Sequence, residues 1–285
     1  MTGIINWDEL WKATHRKGFA HHGKDMVSHW DAKAQEFNKR VMKNKERSNS
    51  QVVMLGLTPA ETVLDVGAGT GRLSIPMARL AKSVTALDQS AGMLSCLQEN
   101  VASEDIKNIH CIQKNWQDVA EGELEQHDVV ISSNSLGVYD LKAALAKMDS
   151  LAKRAVYIFT FADGKRDDGF RQFMRVGNEE REGGHGRHGR NEIGPAGYLM
   201  IYNLLADMGI LADIKVMQWH SKEQYKSLDE AVADWKEMHE LPAEKEPTLR
   251  EFLSQRLVKE GDELCLHRHH KQVLISWQKG GALPA

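Results

Sequence analysis

A run of ten residues, from Val63 to Arg72, constrains the fold of this chain more than any other segment. Its sequence is VLDVGAGTGR, in which a short apolar segment leads into three glycines at every second position. An amphipathic helical pattern follows directly, so the order is buried strand, tight turn and helix. Glycine is favoured where the backbone takes positive φ or approaches a ligand closely, and the first N–H groups of a helix attract polar ligands. The run therefore predicts a ligand-binding turn.

The spacing of the glycines excludes two common nucleotide-binding motifs. A dinucleotide fingerprint placed on Gly67 and Gly69 requires Gly or Ala at position 72, where the chain has Arg72. A phosphate-binding P-loop requires Gly-Lys-Ser/Thr after the turn, and this sequence has none. The remaining pattern, D-x-G-x-G-x-G from Asp65 to Gly71, resembles motif I of the class I S-adenosylmethionine-dependent methyltransferases, in particular their small-molecule branch (types 11 and 25).

Composition indicates an ordinary globular protein. The 285 residues are 41% hydrophobic and 27% charged, enough for one sizeable core plus a cap or lid. A formal net charge of −3 argues against a mainly nucleic-acid-binding surface. The three cysteines are far apart, the N-terminus lacks signal-peptide character, and no apolar run has membrane-spanning length. We therefore expect a cytoplasmic protein with no nucleic-acid or membrane partner, for which an oligomer is possible.

The chain is predicted to have four parts. Residues 1–50 form an N-terminal helical cap, in which Trp30, Ala34 and Phe37 are similar to a Trp-x-x-x-Ala-x-x-Phe/Tyr stretch found before the core of many small-molecule methyltransferases. The second part, 51–161, alternates strand and helix as a ligand-binding α/β core. The third, 162–197, is a lid or substrate loop, with a solvated flexible loop as the alternative. The fourth, 198–285, completes the core and carries a helical insertion.

The periodicity also predicts individual elements. Strands are expected at 62–66, 83–87, 109–113, 128–132, 155–161 and 210–219. Helices are expected at 71–81, 141–152, 198–208, 228–241 and 247–258. The polar stretch 43–50 suits a mobile linker, and two closing strands, 263–266 and 272–277, are expected to be joined by a basic turn at 267–271.

The resemblance implies a Rossmann-like α/β fold with a seven-stranded, mostly parallel sheet. The implied strand order is 3-2-1-4-5-7-6, with the seventh strand antiparallel. S-adenosylmethionine would cross the carboxyl ends of the first three strands, where ligands bind in open α/β sheets. The product would be S-adenosylhomocysteine.

A carboxylate near the glycine turn is the next predicted contact. Asp88 closes the second strand, 17 residues after Gly71, so it lies at the carboxyl end of the neighbouring strand. It can accept two hydrogen bonds from a ribose diol, with Gln89 beside it. The alternative role for Asp88 is capping the helix that begins near Ser90, for which Ser90 competes.

The corner after the third strand corresponds to the place where the family contacts adenine. Asn115 holds the position of the family's usual Asp, and its amide can pair with the adenine edge. Trp116 holds the position that packs against the ring, with plain core packing as its alternative. Asp118 is the alternative to Asn115 as the residue that contacts the adenine amino group.

The end of the fourth strand is where the family places acceptor-handling residues. Ser132 and Ser133 offer neutral hydrogen bonds suited to the methionine end of the cofactor. The Asn/Asp-Pro-Pro-Tyr arrangement of adenine and glutamine N-methylating relatives is missing, and so is a Pro-Cys nucleophile. The complete predicted cofactor set is Asp65, Gly67, Ala68, Gly69, Gly71, Asp88, Gln89, Asn115, Trp116, Ser132 and Ser133.

Methyl transfer by in-line displacement needs no protein nucleophile, and a general base is needed only for a protonated acceptor. The candidates for such a base are His185, His188, Tyr139 and Asp140. A metal site on His185 and His188 lacks helical spacing and a nearby third ligand, so no metal is expected.

The sequence thus predicts a methyltransferase that moves the methyl group of S-adenosylmethionine to a small-molecule acceptor. Two alternatives stay open at this point. One is a methyltransferase acting on RNA or protein, and the other is a non-catalytic module that binds S-adenosylmethionine or S-adenosylhomocysteine.

Overall fold

The computed structural model describes residues 4–42, 45–162, 197–239 and 241–280. These residues form one eight-stranded sheet in the order β3-β2-β1-β4-β5-β8-β6, with β7 paired to β8. The first five strands pair in parallel, and β7 is antiparallel to β8. The strands are β1 Thr62–Val66, β2 Ser83–Asp88, β3 Ile109–Gln113, β4 His127–Ser133, β5 Ala152–Phe161, β6 Asp213–Tyr225, β7 Leu257–Glu260 and β8 Glu263–Gln278.

Eight α-helices lie within the described residues. They are α1 Trp7–Met42, α2 Lys45–Val53, α3 Ser74–Ala78, α4 Ala91–Ser103, α5 Leu141–Leu151, α6 Gly197–Asp207, α7 Leu228–His239 and α8 Glu246–Ser254. Two single-turn 3₁₀ helices span Trp116–Asp118 and Ala243–Lys245. None of the described helices is both long and apolar enough to cross a membrane.

The strand order confirms the expected fold class. β8 occupies the place of the family's seventh strand, and β7 is an addition to the seven-stranded plan. The central strands are buried along almost their whole length, which suits a parallel sheet covered on both faces. Because β1, β2 and β4 are parallel neighbours, their carboxyl ends meet at one edge of the sheet.

The chain divides into two compact units. Of the described residues, the first unit holds 4–42, 45–162, 197–216 and 273–280, and the second holds 217–239 and 241–272. The core of the first unit joins strand residues such as Leu64, Val130 and Ile158 to helix residues such as Trp11 and Leu145. The second unit has its own apolar cluster, formed by Tyr225, Ala231, Val232, Trp235, Leu249, Phe252, Leu253 and Leu266. The predicted division at 50, 161 and 197 stays a prediction.

Two of the predicted elements are wrong. The linker predicted at 43–50 is helical from Lys45 onward, and the buried face of this helix is held to the core because Ser48 and Gln51 both accept hydrogen bonds from Arg72. The basic turn at 267–271 lies inside the continuous strand β8. The turn comes earlier, at Gly261 with φ of +63°, so that β7 and β8 form the hairpin.

Two helices are shorter than predicted. The helix after the glycine turn covers only Ser74–Ala78 instead of 71–81. The last helix ends at Ser254, after which the chain enters β7.

Candidate functional site

The glycine turn between β1 and α3 has the positive φ angles that its sequence predicts. Gly67, Gly69 and Gly71 have φ values of +73°, +58° and +86°, which side chains disfavour. A Cβ at Gly67 would lie 2.2 Å from the Cβ of Ser135, and one at Gly71 would lie 2.1 Å from Cδ1 of Leu97. Both positions therefore require glycine for conformation and for space.

The turn is fixed to the neighbouring strand β2. The N–H groups of Gly67 and Ala68 donate to the Leu87 carbonyl at 2.8 and 3.0 Å. Asp88 follows, and its Oδ2 accepts from the Gly69 N–H at 2.8 Å while its Oδ1 accepts from the Ser90 N–H at 2.9 Å. The glycine turn and the acidic end of β2 thus form one hydrogen-bonded unit.

Asp88 does not cap helix α4. Ser90 is the N-cap, and its Oγ accepts from the Met93 N–H at 3.1 Å. Burial raises the pKa of Asp88, and the backbone N–H groups of Ser90, Gly69 and Gln89 oppose that rise. A carboxylate has about four acceptor positions, so three backbone N–H groups do not use its whole acceptor capacity, and Asp88 can still accept from a ligand's hydroxyl group.

Asp65 supports the turn from inside the protein. Its side chain is 2% exposed, and Ser74 Oγ donates to its Oδ2 at 2.6 Å. Burial raises its pKa to about 6, against the lowering effects of Ser74 and Arg72. Because Asp65 is buried, it would influence a ligand only indirectly, by stabilising the conformation of the glycine turn.

The end of β4 contributes a group of serine hydroxyls. Ser132 Oγ and Ser135 Oγ are 2.7 Å apart, and Ser135 donates to the Val66 carbonyl at 2.6 Å. Ser133 accepts from Arg72 Nη2 at 2.9 Å. The sequence prediction includes Ser132 and Ser133 but misses Ser135, whose signal is the Ser-Ser-Asn-Ser run, in which Asn134 has φ of +56°.

The corner after β3 consists of Asn115 and the 3₁₀ helix Trp116–Asp118. Asn115 caps the 3₁₀ helix, with Oδ1 accepting from the Gln117 N–H at 3.0 Å. That helix turns the Trp116 indole into the core, where it is 5% exposed and has Lys147 Nζ 5.1 Å from its ring centroid. Core packing, the alternative for Trp116, describes its position in this structure, and its contact with the adenine ring stays a prediction.

Lys147 holds this corner in place. Its ammonium group donates to the carbonyls of Trp116 at 2.8 Å and Val119 at 2.5 Å. Burial lowers its pKa, while Asp118 and Glu123 raise it.

The candidate general bases are placed as follows. Tyr139 is 43% exposed, and its main-chain N–H donates to Gln117 Oε1 at 3.2 Å. Asp140 caps helix α5, accepting from the Ala143 N–H at 3.0 Å. His185 and His188 lie outside the described residues. Within the described part of the chain, no group of three His, Cys, Asp or Glu side chains could hold a metal ion.

The second half of helix α1 packs beside the glycine turn. Asp31 Oδ1 accepts from Ser90 Oγ at 2.5 Å and from the Gly92 N–H at 2.9 Å. The amides of Asn38 and Asn100 exchange hydrogen bonds, and Asn100 donates to the Thr70 carbonyl at 2.9 Å. Sequence analysis identified the aromatic face of this helix but missed these polar contacts, for which the sequence carries no distinct signal.

Comparison with known proteins gives one family match and one relative along almost the whole chain. The sequence profile of the family described as "Methyltransferase domain" matches residues 63–155. An uncharacterized protein of Haemophilus influenzae is 27% identical over 278 residues, which cover 96% of each protein. A probable ribosomal RNA small subunit methyltransferase A of Methanosphaera stadtmanae is 33% identical, but over 73 residues, or 26% of each protein.

Solved structures share the fold. A putative methyltransferase from Bacillus halodurans matches with a TM-score of 0.54 and 15% identity, covering 82% of this chain and 99% of its own. The YcgJ protein from Bacillus subtilis matches with a TM-score of 0.54 and 13% identity, covering 83% of this chain and all of its own. The profile match runs from β1 into β5 and so includes the glycine turn and Asp88. Residues 63–155 are thus similar to the methyltransferase-domain family, and most of the chain shares the fold of these solved structures.

Proposed function

We propose that this protein transfers the methyl group of S-adenosylmethionine to a small-molecule acceptor, with the cofactor held at the carboxyl ends of β1, β2 and β4. The observation that carries the proposal is the geometry of Asp88. Its two carboxylate oxygens are fixed by the backbone N–H groups of Gly69 and Ser90, which makes Asp88 a rigid acceptor beside a turn that requires glycine at positions 67 and 71.

The residues present fit an adenosyl ligand. Asp88 would accept hydrogen bonds from the ribose hydroxyls, as in other α/β nucleotide sites. The backbone of Gly67, Ala68, Gly69 and Gly71 would lie against the ligand, in a turn whose close packing on Ser135 and Leu97 requires glycine at positions 67 and 71. Asn115 and Gln89 would flank the base, and Ser132 and Ser133 would lie toward the methionine end. Tyr139 stays a candidate base on the grounds of its exposure.

When bound, the cofactor would supply a methyl carbon attached to a positively charged sulfur. An acceptor's lone pair would bond to that carbon as the carbon–sulfur bond breaks, and the sulfur would leave as a neutral thioether. The chain's own contribution is to align the two molecules and to exclude water. Alignment of this kind contributes on the order of 7–11 kcal/mol to lowering a barrier. Rigid placement of Asp88 and of the glycine turn is therefore the property on which the rate depends.

Two observations support a small acceptor. The formal net charge of −3 does not favour a polyanionic acceptor. The end of β4 and the residues after it read Ser133–Asn134–Ser135–Leu136, without the Asn/Asp-Pro-Pro-Tyr arrangement. An RNA acceptor is the second candidate because two partial relatives are named as ribosomal RNA methyltransferases. Those matches cover 26% and 44% of this chain.

Calorimetry with S-adenosylhomocysteine tests the site. We expect the unmodified protein to bind it, Asp88→Ala to weaken binding by about 10- to 100-fold through loss of charge-assisted hydrogen bonds, and Gly67→Val to abolish it. Asp229→Ala removes an exposed carboxylate in the second unit and serves as the matched control. Unchanged affinity in both site variants would overturn the site, and a folded protein that binds neither S-adenosylhomocysteine nor S-adenosylmethionine would overturn the function.

The acceptor class is tested with S-adenosylmethionine carrying a radiolabelled methyl group, incubated with a fractionated cell extract. The proposal expects label in the ultrafiltrate that contains small molecules. Label recovered in RNA or protein alone would replace the proposal with the corresponding alternative.

A further inference from the structure

Lys147, a residue of helix α5, holds the corner after β3 through three hydrogen bonds. A lysine ammonium group has three N–H donors, and here they reach the main-chain carbonyls of Trp116 at 2.8 Å, Gln117 at 3.3 Å and Val119 at 2.5 Å. The same ammonium group lies 5.1 Å from the centroid of the Trp116 ring. A single-turn 3₁₀ helix has poor hydrogen-bond geometry of its own, so a cation at its carbonyl end stabilises it.

The backbone that carries Lys147 is fixed by the core. Its neighbours on α5, Ala144, Leu145 and Met148, are at most 4% exposed and belong to the apolar cluster of the first unit. Trp116 lies in the same cluster. Core packing and the contacts of Lys147 therefore position the 3₁₀ helix together.

The 3₁₀ helix in turn sets the orientation of the Asn115 side chain. Asn115 is the N-cap, and its Oδ1 accepts from the Gln117 N–H at 3.0 Å. Only the oxygen of an amide can accept from an N–H group, so this contact decides which end of the amide faces the helix. Oδ1 keeps a second acceptor position, and among the described residues Nδ2 donates to no partner. Asn115 thus offers an acceptor and a donor in a fixed order.

The corner adjoins the residue that is proposed to hold the ribose. β3 is the parallel neighbour of β2, and the Lys114 N–H donates to the Asp88 carbonyl at 2.9 Å. Asn115 is the next residue along the chain. A base attached to a ribose on Asp88 would therefore lie near Asn115.

An amide held in one orientation discriminates between purine bases. Adenine has an amino donor at C6 beside a ring-nitrogen acceptor, so it pairs with both groups of the Asn115 amide. Hypoxanthine has a carbonyl at C6 beside a ring N–H, so it would pair fully only if the amide turned over. Turning the amide over would set its NH₂ group against the Gln117 N–H, with two donors facing each other.

We propose that Lys147 is a positioning residue for the base end of the site. By holding the 3₁₀ helix, it keeps the Asn115 amide in the orientation that selects a 6-amino purine over a 6-oxo purine. The proposal rests on the proposed function, because it concerns the selectivity of the same ligand site. A purely structural role for Lys147 would instead affect the binding of both bases equally.

The test compares S-adenosylhomocysteine with S-inosylhomocysteine, which differ only at the base, by calorimetry. We expect the unmodified protein to prefer the adenine ligand by at least about tenfold, roughly the effect of one hydrogen bond. Lys147→Met keeps the aliphatic stem and removes the three donors. The affinity for S-adenosylhomocysteine should then fall by about tenfold, and that for S-inosylhomocysteine should change less than about twofold. Lys142→Met changes an exposed lysine on the same helix and should alter neither affinity.

Other outcomes contradict the assignment. Equal losses for the two ligands in Lys147→Met would leave Lys147 a structural role alone, and an unchanged preference would remove it from base selection. If Lys147→Met fails to fold, Lys147→Arg decides: its planar guanidinium group cannot donate to all three carbonyls as the ammonium group does, so the preference should fall, and an undiminished preference overturns the proposal. An unmodified protein that binds both ligands equally overturns the proposal alone, whereas one that binds neither overturns the proposed function as well.

Discussion

Asp65, the first residue of the glycine motif, shows how a single buried carboxyl group links the site to stability. Its folded-state pKa is about 6, against 3.8 for an unperturbed aspartate, and burial is the main cause. The folded protein therefore holds this proton more tightly than the unfolded chain does. The stability contributed by Asp65 is fully present below about pH 4 and is lost as the pH rises through about 6.

Asp65→Asn should remove this pH dependence. The asparagine carbonyl can still accept from Ser74 Oγ, so the turn keeps its hydrogen bond. We expect the free energy of unfolding of the unmodified protein, relative to the variant, to fall by about 3 kcal/mol between about pH 4 and pH 7. Urea unfolding of both proteins across that pH range measures the difference between their free energies of unfolding. All other titrating groups are the same in the two proteins, so their contributions cancel. Two parallel stability curves would show that Asp65 titrates normally.

Residues of the site differ in how far the sequence predicts them. The glycines and Asp88 are predictable because conformation and strand spacing leave few other residues or positions for their roles. Trp116 is not, because a single 3₁₀ turn decides whether its indole points inward. Arg72 is also missed, since its partners Ser48 and Gln51 come from a helix whose polar sequence resembles a linker.

Helix α1 is held on helix α4 by contacts that end beside Asp88, in the candidate site. Asp31 accepts from Ser90 Oγ and from the Gly92 N–H. The helices are so close that a Cβ at Gly92 would lie 2.9 Å from the Asp31 carbonyl oxygen. The Ser90 N–H also donates to Asp88. Ser90 therefore contacts both the aspartate that docks helix α1 and the aspartate of the candidate site.

Asp31→Ala should loosen the second half of α1 and weaken cofactor binding modestly. The variant loses two hydrogen bonds, with an effect on docking of about 1 kcal/mol given the exposure of Asp31. Hydrogen exchange should become faster in residues 28–40, and the affinity for S-adenosylhomocysteine should fall a few-fold. Glu36→Ala, which breaks an exposed ion pair with Lys33 on the same helix, is the control. Identical exchange in the two variants would mean that Asp31 does not hold the helix.

Among the elements, strands were predicted more accurately than their connections. β1 and β3 match their predicted bounds because their apolar runs end at polar or glycine residues. The strand β8 was predicted as two pieces, since five basic or polar residues in succession resemble a turn. In the fold, Glu260 and His220 pair with His267, so a polar segment continues the strand. Such cross-strand pairing has no local sequence signal.

At the scale of the whole molecule, the largest apolar cluster of each unit within the described residues shares no residue with that of the other unit. The first unit's cluster includes Trp277, and the second unit's cluster includes Trp235; each side chain is 3% exposed. The glycine turn, Asp88 and Arg72 all belong to the first unit. Cofactor binding should therefore depend on the first cluster and be insensitive to the second.

A matched pair of tryptophan variants tests this independence. Trp235→Ala should destabilise the second unit by about 3–5 kcal/mol, the usual cost of removing a buried aromatic side chain. It should leave the affinity for S-adenosylhomocysteine unchanged, because none of the cofactor-site residues contributes to its cluster. Trp277→Ala also removes a hydrogen bond to Asp149 and should lower both stability and affinity. Limited proteolysis within 217–272 and calorimetry separate the two effects. Loss of binding in folded Trp235→Ala would show that the two units act as one cooperative structure.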